Sequence, residues 1–133
     1  MMIDVLKSGA KPATEGPESY FTGKVLIKNP FQATEPARTG GATVAFQPGA
    51  RTAWHTHPLG QTLIITDGEG WVQEWNQSAQ KLNKGDVVWI RPGVKHWHGA
   101  SADKAMTHIA IAESQDGKVV DWLEHVSNEQ YQQ

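Results

Sequence analysis

Five of the six histidines occupy three places where the surrounding residues favour β-strands. His55 and His57 form one His-x-His pair, His96 and His98 form a second, and His108 lies on a third segment. Side chains two residues apart on a strand point to the same face, so each pair presents two imidazoles side by side. Neutral imidazole is the commonest metal ligand in proteins. A single His-x-His pair is as easily explained by chance as by a metal site, but two pairs and a fifth histidine favour a metal site.

The composition excludes several competing chemistries. The chain has 133 residues and no cysteine, so disulfides, thiolate nucleophiles and cysteine-ligated zinc or iron–sulfur centres are ruled out. The formal net charge of −2 gives no electrostatic reason to expect nucleic acid or an anionic membrane as a partner. No apolar run approaches the ~18 residues of a transmembrane helix, and the first residues lack a signal-peptide pattern. We therefore expect a cytoplasmic protein that acts on a small molecule.

Short apolar runs that stop at Gly, Pro, Asn or Asp predict an antiparallel all-β sandwich or barrel. Gly40-Gly41 is interpreted as a turn that precedes one of the strands. Six runs have the composition of strands: Lys24–Asn29, Ala42–Gln47, Thr62–Asp67, Trp71–Asn76, Asp86–Ile90 and Met106–Glu113.

The two ends of the chain follow other patterns. The polar segment Ser8–Ser19 predicts an irregular arm, because it contains proline and glycine and has no apolar periodicity. Ser127 followed by Gln130 resembles a capping box, which predicts a short C-terminal helix over Asn128–Gln132. The chain therefore reads as one compact domain with a loose amino-terminal arm over about residues 1–20.

Alternation along the strands separates a ligand-facing side from a packing side. Ala110 and Ala112 share the face of His108 and leave room for a ligand, whereas Ile109 and Ile111 face the other way.

The six tryptophans predict packing and not chemistry. Trp54 and Trp97 alternate with the paired histidines and so face away from them. Trp71 and Trp75 share one strand face, and Trp89 lies on a separate strand. A small barrel cannot cover all these rings, so some need the arm, the tail helix or another subunit as cover. Large exposed apolar patches usually mark interfaces, and closed symmetry is common, so we expect a homo-oligomer, a dimer or a tetramer.

The histidine pairs lie in two blocks that resemble the paired signature of the cupin superfamily. The first block runs from Gly49 to Gly68 and places His55, His57 and Gln61 between these glycines at the spacing of the cupin pattern. The second block covers residues 85–100, in which glycine, two residues and His96 repeat the spacing of the family.

Three positions depart from the cupin pattern. Gln61 stands where the family usually has a glutamate ligand, Arg91 takes the position of a proline, and Ala100 replaces a terminal asparagine. The first departure bears on the chemistry, because it removes a negative charge from the implied metal site.

The resemblance to cupins implies a small antiparallel β-barrel, of the cupin or jelly-roll type with a short C-terminal helix, spanning residues 1–133 as a single domain. It implies one divalent metal ion with His55, His57, Gln61 and His96 as ligands. This ligand set is neutral, so the metal keeps its full charge and is a better Lewis acid than it would be beside a glutamate. The set suits Mn, Fe, Co, Ni or Zn, and the missing carboxylate favours a Lewis-acid role over iron oxygenase chemistry.

Longer runs are similar to the bacterial cupin hydroxynitrile lyases, from Tyr20 to the end of the chain. The runs cover residues 50–63, 85–99, 105–111 and 120–126 with 129–131. This resemblance implies an enzyme, most often with Mn, that cleaves cyanohydrins such as mandelonitrile to an aldehyde and HCN, or catalyses the reverse addition. It implies His108 as a base with a pKa near neutrality, and Thr52 and His98 as pocket neighbours. It also implies a pocket wall that includes Ala42, Val44 and Ala112.

Several alternatives remain open from the residues. His98 is a ligand, a base or a support for His96 with similar weight, and His108 could instead make a structural hydrogen bond. His125 is expected to be an ordinary tail residue, and Arg51 and Arg91 are expected at the surface or in ion pairs. The competing functions are an iron-dependent cupin dioxygenase of the quercetinase type and a non-catalytic module that binds a metal or small ligand.

Overall fold

A computed structural model of the chain describes residues 2–132, which form short and long β-strands and one short helix. The elements, in chain order, are β1 (Thr14–Glu15), β2 (Phe21–Thr22), β3 (Val25–Gln32), β4 (Thr39–Phe46), β5 (Arg51–Thr52), β6 (His55–Thr56), β7 (Gln61–Glu74), β8 (Gln80–Asn83), β9 (Val87–Ile90), β10 (His96–Ala100), β11 (Met106–Glu113), β12 (Asp121–Trp122) and α1 (Asn128–Tyr131).

The strands form two antiparallel sheets that share β7. The first sheet has the order β1-β3-β4-β11-β7-β9. In the second sheet the other half of β7 lies between β8 and β10. β10 also pairs with β5, which pairs with β2, and with β6, which pairs with β12. The sheets curl around one apolar core. The predicted all-β antiparallel barrel with a short C-terminal helix is confirmed.

β7 bends from one sheet into the other at Gly68. The sequence predicted two strands here, Thr62–Asp67 and Trp71–Asn76, but they are one continuous strand. Gly68 has a φ of 73°, and a Cβ at this position would collide with the backbone of Ala105. Glycine adopts this backbone conformation without steric cost, so the strand bends here and continues into the second sheet.

The prediction of a turn at Gly40-Gly41 is wrong, because both residues lie inside β4. Gly41 pairs with Ile111 on the neighbouring strand. A Cβ on Gly41 would meet the carbonyl oxygen of Ala110 and the ring of Phe31. The glycine therefore permits a close approach between strands, which a pattern of turn residues cannot distinguish from a turn.

Residues of the C-terminal tail complete a second, smaller hydrophobic core on the outer face of the second sheet. Trp54 and Trp97 pack there with Val126 and Tyr131, as their alternation with the histidines predicted. Ser127 is the N-cap of helix α1, its side chain accepts a hydrogen bond from the backbone N–H of Gln130, and the predicted capping box is present.

Arg51 fastens this tail to the barrel. The expectation that Arg51 lies at the surface is wrong, because it is buried and its Nη2 donates to the carbonyl oxygen of Val126 and to Oδ1 of Asn128, each at 2.9 Å. Its guanidinium also lies over the ring of Tyr131, 4.5 Å from the centroid. The partners are about 75 residues away in sequence, so local patterns cannot reveal them.

The predicted arm is irregular through residue 13 and then pairs briefly with β3 through β1. Within residues 2–132, no helix has the length and hydropathy that a membrane crossing requires.

Candidate metal centre and active site

Three separate parts of the fold carry the histidines to one place. His55 lies on β6 and is the cross-strand partner of His96 on β10, while His57 follows β6 and Gln61 begins β7. All four side chains are buried. The ring centroid of His57 lies 5.1 Å from that of His55 and 5.6 Å from that of His96, and Gln61 lines the same cavity as His57, so the nominated side chains are neighbours.

Backbone carbonyl groups orient three of the imidazoles. Nδ1 of His55 donates to its neighbour Ala53 at 2.8 Å, and Nδ1 of His96 donates to Val94 at 2.9 Å. Nδ1 of His57 donates to Val119 at 2.7 Å. A histidine that donates from Nδ1 keeps a lone pair on Nε2, and such support is typical of metal-binding histidines.

Three histidines offer nitrogen atoms that lie close enough to share one metal ion. In the part of the chain that the structure describes, ligand atoms of His55, His96 and His98 lie within 4.8 Å of one another. The ring centroids of His55 and His96 are 4.2 Å apart, and that of His57 is 5.1 Å from His55. The group therefore contains two of the nominated histidines, His55 and His96, together with His98, and it does not include the nominated His57.

Unpaired buried atoms show that this donor set fits a metal ion. Nε2 of His57, His96 and His98 and Oε1 of Gln61 are buried and have no hydrogen-bond partner. A buried polar atom without a partner costs about 1–3 kcal/mol, so four in one place would be a large penalty unless a ligand satisfies them. Three imidazole nitrogens and an amide oxygen suit a divalent transition metal, and none of these groups is negatively charged.

A second pair of imidazoles extends from this cluster into the barrel. Nδ1 of His98 and Nε2 of His108 are 3.0 Å apart and share one hydrogen bond. The hydroxyl of Thr52 accepts the backbone N–H of His98 at 3.2 Å. The ladder between β11 and β7 shifts register between Thr107 and His108, and such bulges often re-aim a side chain. His98 therefore belongs to the ligand cluster and also contacts His108.

Burial keeps the histidines neutral. Desolvation lowers the pKa of His96 and of His108 to about 4. Desolvation also lowers the pKa of His55 and of His98 well below the usual value, with a further decrease from nearby histidines. The expectation that His108 has a pKa near neutrality is wrong, because burial of its ring lowers the pKa. Its neutral form, which a base requires, is nevertheless the form present at pH 7.

A cavity of about 410 Å³ opens beside the histidines. Ala42, Val44 and Ala112 line it, as predicted, and Thr52, His98 and His108 also line it. Its walls are otherwise mostly apolar, and the sequence did not indicate the following lining residues: Phe21, Ile27, Phe31, Phe46, Val119 and Trp122.

Val119 and Trp122 are the most informative of the missed residues. Val119 supplies the carbonyl that orients His57, and the ring of Trp122 lies 4.7 Å from that of His55. They come from the tail, and only the pairing of β12 with β6 brings them to the site. His125 and Arg91 lie exposed outside the cavity.

Fold and site together define a β-barrel of the cupin class with a cluster of histidines that can hold a metal ion. The family model described as "Cupin domain" matches residues 42–112, and the chain belongs to the cupin family. An (R)-mandelonitrile lyase of Granulicella tundricola is 55% identical over 97% of this chain and 98% of that protein.

Solved structures agree on the architecture. A cupin-like protein of Thermotoga maritima is 40% identical, with a TM-score of 0.83 over 97% of this chain and 95% of its own. A polyketide cyclase of Streptomyces resistomycificus shares the fold alone, with 14% identity and a TM-score of 0.75 over 98% of this chain and 91% of its own.

Proposed function

We propose that this chain is a metal-dependent hydroxynitrile lyase that cleaves cyanohydrins such as mandelonitrile to an aldehyde and HCN, or forms them. The observation that carries the proposal is the set of buried, unpaired donor atoms at one end of an apolar cavity, next to a hydrogen-bonded imidazole pair. The 55% identity to an (R)-mandelonitrile lyase over nearly the whole chain supports this substrate class.

His55, His57, Gln61 and His96 would hold the metal, for which we propose Mn. When bound, the metal supplies a Lewis acid that polarises a coordinated hydroxyl group. The neutral donor set leaves the charge of the metal undiminished, which favours this non-redox role. His98 offers a further nitrogen at the same place and is the alternative ligand.

His98 and His108 would move the proton of the substrate hydroxyl. His98 presents Nε2 towards the cluster and touches His108 through Nδ1, so a proton accepted at one end of the pair can be passed to the other. When the bond between the carbinol carbon and cyanide breaks, the pair returns this proton to cyanide. Burial lowers the pKa values of both imidazoles, so both are neutral and have a free lone pair before the reaction.

The cavity would bind the organic substituent of the substrate and keep water away from it. Ala42 and Ala112 leave room for an aromatic ring, and Val44 and Phe46 cover the apolar side. Thr52 positions His98 through its backbone N–H and lies at the same cavity wall.

The test is HCN release from mandelonitrile by protein of measured metal content. We expect EDTA to abolish the release and Mn, but not Fe, to restore it. His96→Ala should lose the metal, whereas His125→Ala, a histidine outside the cavity, should keep both metal and activity. Unchanged metal content in His96→Ala would refute the ligand assignment. Oxygen uptake with a flavonol would instead support the dioxygenase, and metal without either activity would support a binding module.

We further propose that the chain is one cupin domain preceded by an arm over about residues 1–20, that it forms a homo-oligomer, and that it acts in the cytoplasm. The absence of cysteine fits a reducing compartment and supports the last point.

A further inference from the structure

One end of the cavity carries a positive charge that the cleavage of mandelonitrile does not use. Among the described residues that line the cavity, Arg38 alone has a permanently charged side chain. It lies just before β4, and two polar residues at the same end, Gln32 and Ser114, also line the cavity. Apart from these three, the histidines, Thr52 and Gln61, the wall consists of glycine and apolar residues. Arg38, Gln32 and Ser114 form the polar rim of the cavity.

The strand register places the polar rim where the cavity meets solvent. Gln61 pairs with Ala112, which in turn pairs with Gly40. Arg38 and Ser114 each lie two residues beyond this row, about 7 Å further along the strands. Their backbones are joined by a hydrogen bond of 3.0 Å from the N–H of Ser114 to the carbonyl oxygen of Arg38. Gln61 is buried and Arg38 is exposed, so the rim is the mouth of the cavity, a short distance from the candidate metal ligands.

Arg38 has only a weak ion pair on the protein itself. Its Nη2 lies 3.8 Å from Oε1 of Glu113, and the two side chains are 56% and 50% exposed. Exposed ion pairs typically contribute about 0–1 kcal/mol. Side chains alternate along β11, so Ala112 lines the cavity and Glu113 does not. An anion inside the cavity would therefore meet the guanidinium without meeting a carboxylate of the wall.

The cavity also has room for a substrate longer than mandelonitrile. Its volume of about 410 Å³ lies within the range of pockets that bury drug-sized ligands, about 300–1,000 Å³. A single phenyl ring fills only part of such a volume. Near the rim, the ring of Phe31 lies against Gly41 and is 42% exposed, so it offers apolar surface that a longer ligand would cover.

We propose that Arg38 is a specificity-determining residue that binds a carboxylate at the far end of the substrate, so that the preferred substrates are cyanohydrins of carboxylate-bearing aromatic aldehydes. This inference rests on the proposed hydroxynitrile lyase function. The planar guanidinium offers paired N–H donors that match the two oxygens of a carboxylate. The amide of Gln32 and the hydroxyl of Ser114 are further donors at the same rim.

The test compares kcat/KM for HCN release from the cyanohydrins of para-formylbenzoate and para-formylbenzamide, which have the same shape and differ in charge. The full chain with its metal should prefer the carboxylate about 5- to 10-fold, as expected for a charge-assisted contact at a half-exposed site. Arg38→Gln should lower this ratio about fivefold or more, and Arg38→Glu should lower it further. About 0.5 M salt should also lower the ratio in the unmodified chain, because salt screens exposed charges.

Arg91→Gln is the matched control, because Arg91 is an exposed arginine outside the cavity, and it should leave the ratio unchanged. Calorimetric binding of two unreactive alcohols, para-(hydroxymethyl)benzoate and its amide, separates this proposal from the lyase function. A chain that releases no HCN from either cyanohydrin would overturn the lyase function, and the affinity ratio of the alcohols would still decide the role of Arg38. Absence of a preference for the carboxylate, or a preference that Arg38→Gln leaves unchanged, would overturn the present proposal.

Discussion

Gln61 decides the charge of the candidate metal centre. Cupin resemblance places a glutamate there, and this chain has an amide whose Oε1 is buried without a partner. All the other nominated ligands are neutral imidazoles. One side chain therefore separates a site with the full charge of a divalent ion from a site with one unit less.

Gln61→Glu is expected to keep the metal and lower HCN release from mandelonitrile about 10- to 100-fold. The carboxylate binds the ion but weakens it as a Lewis acid. Metal analysis and kcat of the same preparations measure the two effects separately. Gln47→Glu, at an exposed position, is the matched control. An undiminished kcat would show that the charge at position 61 does not limit the reaction.

His98 and His108 are expected to act as one unit. His108→Ala should keep the metal and lower kcat about 100-fold or more, in line with the contribution of general acid–base catalysis. His98→Ala should lower it by a similar factor. Because the two histidines share one hydrogen bond, the kcat of the double variant should lie no more than about threefold below that of the less active single variant. Multiplicative losses in kcat would mean that they act separately.

At the scale of elements, the C-terminal tail, which contains β12 and α1, is attached to the barrel by side-chain contacts and not by long strands. β12 has two residues and α1 has four, and neither could be stable alone. The hydroxyl of Tyr131 donates to the carbonyl oxygen of Ala100 at 2.6 Å, and Arg51 binds the segment before α1. The tail in turn supplies Val119 and Trp122 to the site.

Tyr131→Phe is expected to lower the free energy of unfolding by about 1–2 kcal/mol, because it leaves the buried carbonyl of Ala100 without its donor. The midpoint of urea unfolding, followed by circular dichroism, measures the change. Tyr20→Phe replaces the other tyrosine, which is exposed, and should change the free energy of unfolding by less than about 0.5 kcal/mol. Equal effects of both substitutions would contradict the role of this hydrogen bond.

At the scale of the whole molecule, five buried neutral histidines make stability depend on pH. The folded-state pKa of His96 and of His108 is about 4, while an unfolded histidine titrates near ~6.5. Between these values the unfolded chain binds more protons than the folded chain, so the free energy of unfolding falls as pH decreases. Each of the two histidines can contribute up to about 3 kcal/mol.

The metal-free protein is therefore expected to unfold at clearly lower urea concentration at pH 5 than at pH 7.5. This stability is fully present above about pH 6.5 and is lost as the pH falls towards 4. His125→Gln should retain the same difference, since His125 is exposed. Identical midpoints at the two pH values would refute buried neutral histidines.

Local patterns were enough to predict much of the fold. Alternation and turn residues located the regions of β3, β4, β7, β9 and β11, because the period of two is a property of each strand by itself. The capping box located α1 for the same local reason. The pattern failed at Gly41 and Gly68, where glycine permits a close approach or a bend that depends on a distant strand.

By itself, the sequence determined which residue types can bind a metal, since the absence of cysteine and the His-x-His spacing leave imidazole and oxygen donors. Only the tertiary structure decided how they meet. The pairing of β6 with β10 places His55 beside His96. The hydrogen bond between His98 and His108 joins β10 and β11, which are not paired with each other and lie on either side of β7. Such contacts depend on how the two sheets close over a shared core, and no local period carries that information.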